Sequence, residues 1–563
     1  MEKFDQKLYQ ILKDSGYIQT KQLDEVYQEA KELDRSLSDT LLFKGLISEE
    51  ALGKLVAEYL KVPYVALKTK LIPDQVLELV PEKLAQNHRM IPFEKNEEGI
   101  LLAMEDPSNF AALEIVKRRT SLPVSIFYTS KADLNRALSQ YKRDIKKKFK
   151  SIIAENVKKA SAIKEDKLED LPKVAQDLPV IKILDALLEY GAAENASDLH
   201  LETTADSLQV RLRIDGVLRD ILNLPQGIQP AIVARIKVLS NLKIDEHRVP
   251  QDGRFKFQID AVMIALRVSI IPALFGENVV LRLLPESARP FSLEELGLSG
   301  KNLKIIQENI KKPHGLILVT GPTGCGKTTT LYSLLNILNS VETKLCTVED
   351  PIEYGIHRVN QIQVNPKTGL TFSTGLRALL RHDPDIIMVG EIRDEETANV
   401  AIHSALTGHL VLSTVHTNDA PSAPLRLLDM GVEGYLLAST VNVIIAQRLV
   451  RRLCPACITE FQPPKEIIAR FKQILGKDIS KQKFYKGKGC DKCSQSGYKG
   501  RVGIYEVMAM NEKIQQLTLE KTSVENIRKV AIEEGMQTML EDGLDKIAAG
   551  TTSIEEVLRA VRE

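Results

Sequence analysis

Gly315-Leu316-Ile317-Leu318-Val319-Thr320-Gly321-Pro322-Thr323-Gly324-Cys325-Gly326-Lys327-Thr328-Thr329 is the stretch on which the reading of this chain turns. Gly321–Thr328 fits the spacing G-x-x-x-x-G-K-[ST], in which glycines let backbone N–H groups turn inward around phosphate oxygens. The apolar run Gly315–Val319 predicts a buried strand directly before the loop. Thr328–Leu338 predicts an apolar helix directly after it, whose N-terminus adds the positive end of its dipole. In such a loop Lys327 bridges the β- and γ-phosphates of a nucleoside triphosphate, and the Thr328 hydroxyl ligates Mg²⁺. Gly321, Pro322, Thr323, Gly324, Cys325, Gly326, Lys327, Thr328 and Thr329 are the candidate nucleotide-binding residues. The alternative is a glycine-rich turn that binds nothing, flanked by a strand and a helix through coincidence.

Three further segments share the logic of a parallel sheet, where ligands sit beyond the carboxyl ends of the strands. Lys344–Val348 reads as a strand delivering Glu349-Asp350-Pro351-Ile352-Glu353. Ile386–Val389 delivers Gly390-Glu391-Ile392-Arg393-Asp394, and Leu410–Thr414 leads to Val415-His416-Thr417-Asn418. A carboxylate so placed can hold Mg²⁺ through water or orient an attacking water. Gly390 stands where an ordinary strand of this kind carries Asp, so the duty falls on Glu391 or on Glu349. His416 is a candidate γ-phosphate sensor or water-ordering group. The alternatives are solvated surface carboxylates and a satisfied structural histidine.

Cys454-Pro455-Ala456-Cys457 and Cys490-Asp491-Lys492-Cys493 form two C-x-x-C knuckles separated by 32 residues. Four such thiolates suit a closed tetrahedral structural Zn²⁺ site, with a thiol-redox pair or free core cysteines as the alternatives. Cys325 and Cys346 lie outside this set.

Upstream of the loop, a helix (Val180–Tyr190) precedes β-type segments at Leu199–Glu202, Leu208–Ile214, Phe255–Ile259, Val262–Ile270 and Val279–Leu284, punctuated by Asp215-Gly216 and Asp252-Gly253. This reads as an α+β domain ending near Pro290. Between Tyr141 and Asp177 the composition turns charged, with Lys142, Arg143, Lys146, Lys147, Lys148 and Lys150 clustered. A solvated helical linker is expected there, with attraction to an anionic membrane surface as the alternative. The first ~140 residues carry a weak repeat: Leu8, Leu12, Gly16, Ile18 and Leu23 recur as Leu37, Leu41, Gly45, Ile47 and Leu52. Each copy predicts a helix, a glycine cap, and a new helix opened by Thr20 or Ser48. Short strands are expected at Gly99–Met104 and Leu122–Tyr128.

Composition narrows the classes. The 563 residues are 44% hydrophobic and 27% charged, with 76 Lys plus Arg against 75 Asp plus Glu. A net charge of +1, no Trp and 5% aromatics argue against a nucleic-acid translocase. Six cysteines are too few for a disulfide scaffold, no apolar run approaches the ~20 residues that span a bilayer, and the N-terminus lacks a signal-peptide core. A cytoplasmic protein is expected.

Taken together, the phosphate loop, the acidic box at Thr347–Tyr354, the atypical carboxylate strand at Ile386–Asp394 and the histidine box from Thr407-Gly408-His409-Leu410 to His416-Thr417-Asn418-Asp419 resemble the GspE/PilB-like secretion ATPases, which drive type II secretion and type IV pilus assembly. Ala196-Ser197-Asp198-Leu199-His200-Leu201-Glu202 and Pro250-Gln251-Asp252-Gly253-Arg254 resemble the family's middle domain. The resemblance implies a multidomain α/β and α+β protein: a docking or regulatory N-terminal module (1–140), a charged linker (141–178), an α+β middle domain (179–290) and a RecA-like motor domain (291–563) with a tetracysteine zinc insert (450–505). It implies a homohexameric, Mg²⁺-dependent ATPase, with ATP between the middle and motor domains. Arg267 and Arg282 then face the phosphates as arginine fingers, joined by Arg377 and Arg381 from the motor domain. The tetracysteine insert is what the family's pilus-extending and type II members carry and its retraction motors lack, and the long N-terminal region favours type IV pilus assembly, with type II secretion as the runner-up. A regulatory protein that has lost hydrolysis is disfavoured by the intact Lys327, Thr328, Glu391 and His416. The implied partner is a polytopic inner-membrane platform protein, which would hold the motor peripherally at the membrane. The N-terminal repeat resembles the module that binds cyclic di-GMP in some members. Its copies begin Lys7-Leu8-Tyr9 and Ser36-Leu37-Ser38 rather than Arg-Leu-Gly, so docking is the main expectation and cyclic di-GMP the alternative.

Overall fold

Three separate sheets and a two-stranded ribbon organise the chain. The computed structural model describes all residues except 1, 33–36, 39–40, 42–45, 68–69, 71, 108, 121, 139, 162–176, 260–261, 286–290, 476–478, 480–481 and 563. The second glycine of the repeat, Gly45, the most charged part of the linker and the expected boundary at Pro290 lie outside the described residues.

At the N-terminus the apolar positions of the repeat have a common fate. Leu8, Leu12, Ile18, Leu23, Leu37, Leu41, Ile47 and Leu52 are buried in one core, together with Val26, Val56 and Tyr128. Helices Glu2–Ser15, Thr20–Glu32 and Glu49–Leu60 supply most of it. Gly16 takes a φ of 64°, a left-handed conformation that glycine adopts freely. Ser48 caps the helix Glu49–Leu60 by accepting from the Ala51 amide at 3.2 Å. The next unit is a sheet of β1 (Met90–Asn96), β2 (Gly99–Met104) and β3 (Val124–Tyr128), antiparallel then parallel. Strand β1 was not expected. Its four buried residues followed by three exposed ones show no alternation to read.

The basic stretch after Tyr141 is helical, as expected, but one side of it is not solvated. In the helix Tyr141–Ser161, Phe149, Ile153 and Ala160 are buried in the core of the following sheet. The Phe149 ring stacks on Tyr190 with centroids 4.4 Å apart. The lysines dominate the composition and mask three apolar residues spaced for one face.

The middle sheet contains β4 (Asp198–Thr203), β5 (Ser207–Ile214), β6 (Val217–Pro225), β7 (Gln251–Ile259), β8 (Val262–Ala273) and β9 (Gly276–Pro285). Their order is β6-β5-β4-β9-β8-β7, and every pairing is antiparallel. Helices Leu178–Ala193 and Gln229–Leu239 cover one face. Strand β5 shows why: Leu208, Val210, Leu212 and Ile214 point into that core, while Gln209, Arg211 and Arg213 alternate to the other face. The sequence reading missed β6, an edge strand with a single buried residue.

The third sheet has the order β12-β11-β13-β14-β10-β15-β18. It is built from β10 (Gly315–Thr320), β11 (Leu345–Glu349), β12 (Val359–Gln363), β13 (Ile386–Val389), β14 (Leu410–Val415), β15 (Val441–Leu453) and β18 (Tyr498–Ala509). All pairings are parallel except β15 with β18. Cores lie on both faces, so β10, β13 and β14 are buried at every residue. The small ribbon of β16 (Ile458–Phe461) and β17 (Phe484–Gly487) sits between the two cysteine knuckles in sequence.

The last helix, Ile554–Arg562, is tied to β15 by a buried carboxylate. Glu556, 3% exposed at its side chain, accepts from Arg451 Nη2 at 2.6 Å, from the Arg451 amide at 3.1 Å and from Arg559 Nη2 at 3.1 Å. Burial pushes its pKa up, but the hydrogen bonds and charges of Arg451 and Arg559 outweigh that and hold it down to about 2. The lowered pKa makes this stabilisation full above the unfolded value near 4.5, and it fades as the pH falls toward 2. Glu556→Gln is expected to lower unfolding free energy at pH 7 by on the order of 3 kcal/mol. Denaturant titrations from pH 7 to pH 2.5 check this: the gap to the parent narrows below pH 4.5.

Candidate active site and metal centre

Strand β10 runs into the loop Gly321–Gly326, and the helix Lys327–Leu338 starts at once. Gly321, Gly324 and Gly326 have φ values of 144°, 80° and 92°. A Cβ at Gly321 would stand 2.5 Å from the Gln447 carbonyl oxygen and 2.6 Å from Cys325 Sγ, so the loop closes only over glycine. Lys327 Nζ folds back over the loop and donates to the carbonyls of Gly321 at 2.9 Å and Pro322 at 3.1 Å. Burial holds its ammonium below the usual range, with the Cys325 and Glu391 charges opposing. Thr323, Gly324 and Thr328 are exposed on the open side; Pro322 and Thr329 are half-buried.

The sequence reading missed the residue that braces this loop. Gln447 of β15, 1% exposed, donates from Nε2 to the Cys325 carbonyl at 2.6 Å and accepts from Thr330 Oγ1 at 2.7 Å. One amide side chain thereby pins both the loop and the first turn of its helix. A polar residue directly after the apolar run Val443–Ala446 was the available signal.

Neighbouring strands bring the other expected residues to the same edge. Glu391, 13% exposed, follows β13; its Oε2 lies 3.1 Å from His416 Nε2 and its Oε1 accepts from Arg393 Nη2 at 2.7 Å. His416 follows β14, whose exit is fixed by Thr320 Oγ1 donating to the Thr417 carbonyl at 2.8 Å. Glu349 is different. It is 2% exposed and its carboxylate accepts from Tyr332 Oη, Thr347 Oγ1 and Gln361 Nε2. Burial raises its pKa, and those three donors pull the other way.

The four arginines divide into two groups. Arg267 and Arg282 are directly opposed across β8 and β9. Arg267 Nη2 donates to Glu353 at 2.8 Å, linking the middle sheet to the segment after β11. Arg282 Nε donates to Asp198 at 3.0 Å. Arg377 and Arg381 lie one turn apart at the end of the helix Phe372–Leu379 and beyond it. Arg377 Nη1 donates to Glu396 at 2.6 Å and Arg381 Nη1 to the Arg377 carbonyl at 3.1 Å.

The cysteine knuckles converge. The four Sγ atoms of Cys454, Cys457, Cys490 and Cys493 lie within 4.8 Å of one another. Three of the separations are 3.8 Å (Cys454–Cys490), 3.9 Å (Cys457–Cys493) and 3.7 Å (Cys490–Cys493). A tetrahedron with metal–sulfur bonds of ~2.3 Å has edges of ~3.8 Å, so the thiols fit a tetrahedral ion without rearrangement. The amides of Cys490 and Gly497 donate to Cys493 Sγ at 3.2 and 3.3 Å, as around a thiolate. The remaining cysteines, Cys325 and Cys346, are buried singly.

Relatives carry the same architecture. Residues 173–559 match the family described as Type II/IV secretion system protein, and residues 60–147 match the MshEN domain. The second match covers the β1–β3 unit, downstream of the Leu8–Leu52 repeat. The Type IV pilus assembly ATPase PilB of Myxococcus xanthus (strain DK1622) is 37% identical over 555 residues, 98% of this chain and 98% of its own. Type II secretion system protein E of Pseudomonas aeruginosa is 46% identical over 396 residues, 70% of this chain and 78% of its own. The X-ray structure of the Legionella pneumophila ATPase DotB has a TM-score of 0.51 at 22% identity, covering 67% of this chain and 95% of that one, a likeness of fold alone. With a phosphate loop, a carboxylate–histidine pair and a four-thiol knuckle in one sheet system, and with the match running through 387 consecutive positions from 173 to 559, the chain belongs to the type II/IV secretion system protein family.

Proposed function

We propose that the chain is a homohexameric, Mg²⁺-dependent ATPase that powers type IV pilus assembly. The observation that carries the chemistry is the common edge where the phosphate loop, Glu391 and His416 leave one parallel sheet. The loop amides and Lys327 bind the β- and γ-phosphates of ATP, Lys327 exchanging its two carbonyl partners for phosphate oxygens. Thr328 offers an exposed hydroxyl as a Mg²⁺ ligand, and the bound cation supplies neutralisation of phosphate charge. Glu391 orients the attacking water, and His416, 3.1 Å away, holds that carboxylate and senses the γ-phosphate. Glu349 serves as a buried brace, because its carboxylate is already filled by three donors. Arg267 and Arg282 face the phosphates from the middle sheet when it closes on the motor, with Arg377 and Arg381 contributing from the motor. Arginine suits the task because it stays charged and forks to phosphate oxygens.

The pilus reading rests on the long N-terminal region and on the pilus assembly relative that is 37% identical over 555 residues, a span and identity that a type II secretion system protein E of Xanthomonas campestris also reaches over 558 residues. The second reading, a type II secretion motor, is favoured by the higher identity of the secretion protein E relative over its 396 residues. In both, the N-terminal residues dock on a polytopic inner-membrane platform, holding a cytoplasmic motor at the membrane; cyclic di-GMP is the alternative ligand of that region. Among the described residues no helix is long and apolar enough to cross a membrane. The four cysteines hold structural Zn²⁺, since a closed all-thiolate tetrahedron leaves no position for substrate. Deleting the gene discriminates the clients: loss of surface pili supports assembly, and intracellular retention of exoproteins with normal pili supports secretion.

Lys327→Ala is expected to abolish turnover and sharply weaken ATP binding, whereas Glu391→Gln spares binding and abolishes turnover. ATP affinity and phosphate release measured on both variants check this, and substantial turnover in Glu391→Gln transfers the water-activating role to Glu349. Arg267→Ala and Arg282→Ala should slow hydrolysis by ~10³-fold at nearly unchanged ATP affinity; parent rates in both would make them ordinary ion pairs. Metal analysis of protein purified without chelators should find about one zinc per chain. Cys454→Ser or Cys490→Ser should release it and lower the stability of the C-terminal part, leaving ATP affinity intact.

A further inference from the structure

A single carboxylate interrupts a row of arginines on the open face of the middle sheet. Strand register aligns Arg213 of β5, Asp198 of β4, Arg282 of β9, Arg267 of β8 and Arg254 of β7. Because these positions are directly opposed on successive strands, their side chains share one face. Asp198 is the buried member, 7% exposed at its side chain. Its Oδ1 accepts from Arg282 Nε at 3.0 Å, and its Oδ2 accepts from Ser197 Oγ at 2.8 Å and lies 3.7 Å from Arg213 Nε. Arg213 is itself anchored, donating from Nη1 to the Gly216 carbonyl at 3.1 Å. One carboxylate oxygen is thus held by Ser197 and Arg213, and the other is given to Arg282.

The manner of that grip matters. Arg282 is held at Nε, and its side chain is 55% exposed. Its Nη1–Nη2 edge, the fork that donates to two oxygens of a phosphate or carboxylate, makes no bond among the described residues. Arg267 contrasts: its Nη2 is already engaged by Glu353. A free arginine side chain has four rotatable bonds and explores many rotamers, so anchoring Nε removes most of that freedom while leaving the working edge open. We propose that Asp198 is a positioning residue for Arg282, aiming its Nη edge at the γ-phosphate of the closing site. The assignment rests on the reading of Arg282 as a phosphate-facing group. It gives Asp198 a part in hydrolysis without contact to the nucleotide.

The test uses the full-length protein, with kcat and KM for MgATP and the melting temperature measured for Asp198→Ala, Asp198→Asn, Arg282→Ala and the double variant Asp198→Ala/Arg282→Ala. Asp198→Ala is expected to lower kcat by ~10- to 100-fold, the cost of a misplaced group, with KM within about twofold. Asp198→Asn should recover most of the rate, because its side-chain oxygen still accepts from Nε. The double variant should be no slower than Arg282→Ala, since two residues acting as a unit are not additive. Loss of Asp198 exposes Arg213 and Arg282 to a solvent they already reach, so the melting temperature should stay near the parent's. A parent rate in Asp198→Ala with a slow Arg282→Ala overturns the positioning role and leaves the arginine reading standing. A double variant slower by the product of the two single losses, or a raised KM with a lowered melting temperature in Asp198→Ala, also overturns it as a merely structural carboxylate. A parent rate in Arg282→Ala removes the arginine reading, and this assignment with it.

Discussion

Parallel hydrogen bonding is the constraint from which the site follows. Neighbouring parallel strands must run the same way, so their carboxyl ends leave the sheet at one edge. Here Thr320 pairs with Val415, Val389 with Ser413, and Val348 with Val389. Gly321, Glu391, His416 and Glu349 each lie within two residues of these pairs. The chain needs no long-range side-chain contact to gather them; the ladder does it. What side chains add is discrimination between two carboxylates at that edge. Glu349 is buried with Tyr332, Thr347 and Gln361 donating to it, whereas Glu391 is paired with His416 and Arg393.

A different sheet geometry supplies the arginines. Antiparallel pairing with one face packed on helices forces strict alternation, so the residues interleaved with Leu208, Val210, Leu212 and Ile214 are polar. Once register is set by that core, Arg213, Arg282, Arg267 and Arg254 fall into one line without further specification. Two of them are paired with carboxylates, Arg282 with Asp198 within the sheet and Arg267 with Glu353 from the segment after β11. The second pair joins the middle sheet to the segment after β11 of the seven-stranded sheet.

Much of this was legible in the residues. Mainly apolar runs before a glycine loop, an acid or a histidine marked β10, β11, β13 and β14, since strands buried on both faces carry little else. The loop glycines were legible because Gly321 has no alternative at its contacts with Gln447 and Cys325. The illegible parts share a physical cause: their partners are far apart in sequence. Gln447 meets Cys325 across 122 positions and Glu556 meets Arg451 across 105. Local periodicity carries no trace of such pairs. Strand β6 escaped for the opposite reason, being an edge with almost nothing buried, and the helix Tyr141–Ser161 hid three core residues among lysines.

The cysteine knuckle joins these themes. Its ribbon and turns follow β15, the strand that also carries Gln447, so the four-cysteine cluster adjoins the strand that braces the phosphate loop. The knuckle also reaches the middle sheet. The Gly500 amide donates to Asp215 at 2.9 Å, at the β5–β6 turn, and Ser494 Oγ donates to Glu194 at 3.4 Å, at the end of the helix Leu178–Ala193. Phe471, Ile479 and Phe484 of the same segment are buried in the core of the parallel sheet, and the four thiols converge at the spacing that a tetrahedral ion would need. Among the described residues, hydrogen bonds join the middle sheet to the chain around the seven-stranded sheet at Arg267–Glu353 and at Asp215–Gly500. The two ties differ in kind: Arg267–Glu353 is an ion pair between partly buried side chains, whereas Asp215 accepts from a backbone amide.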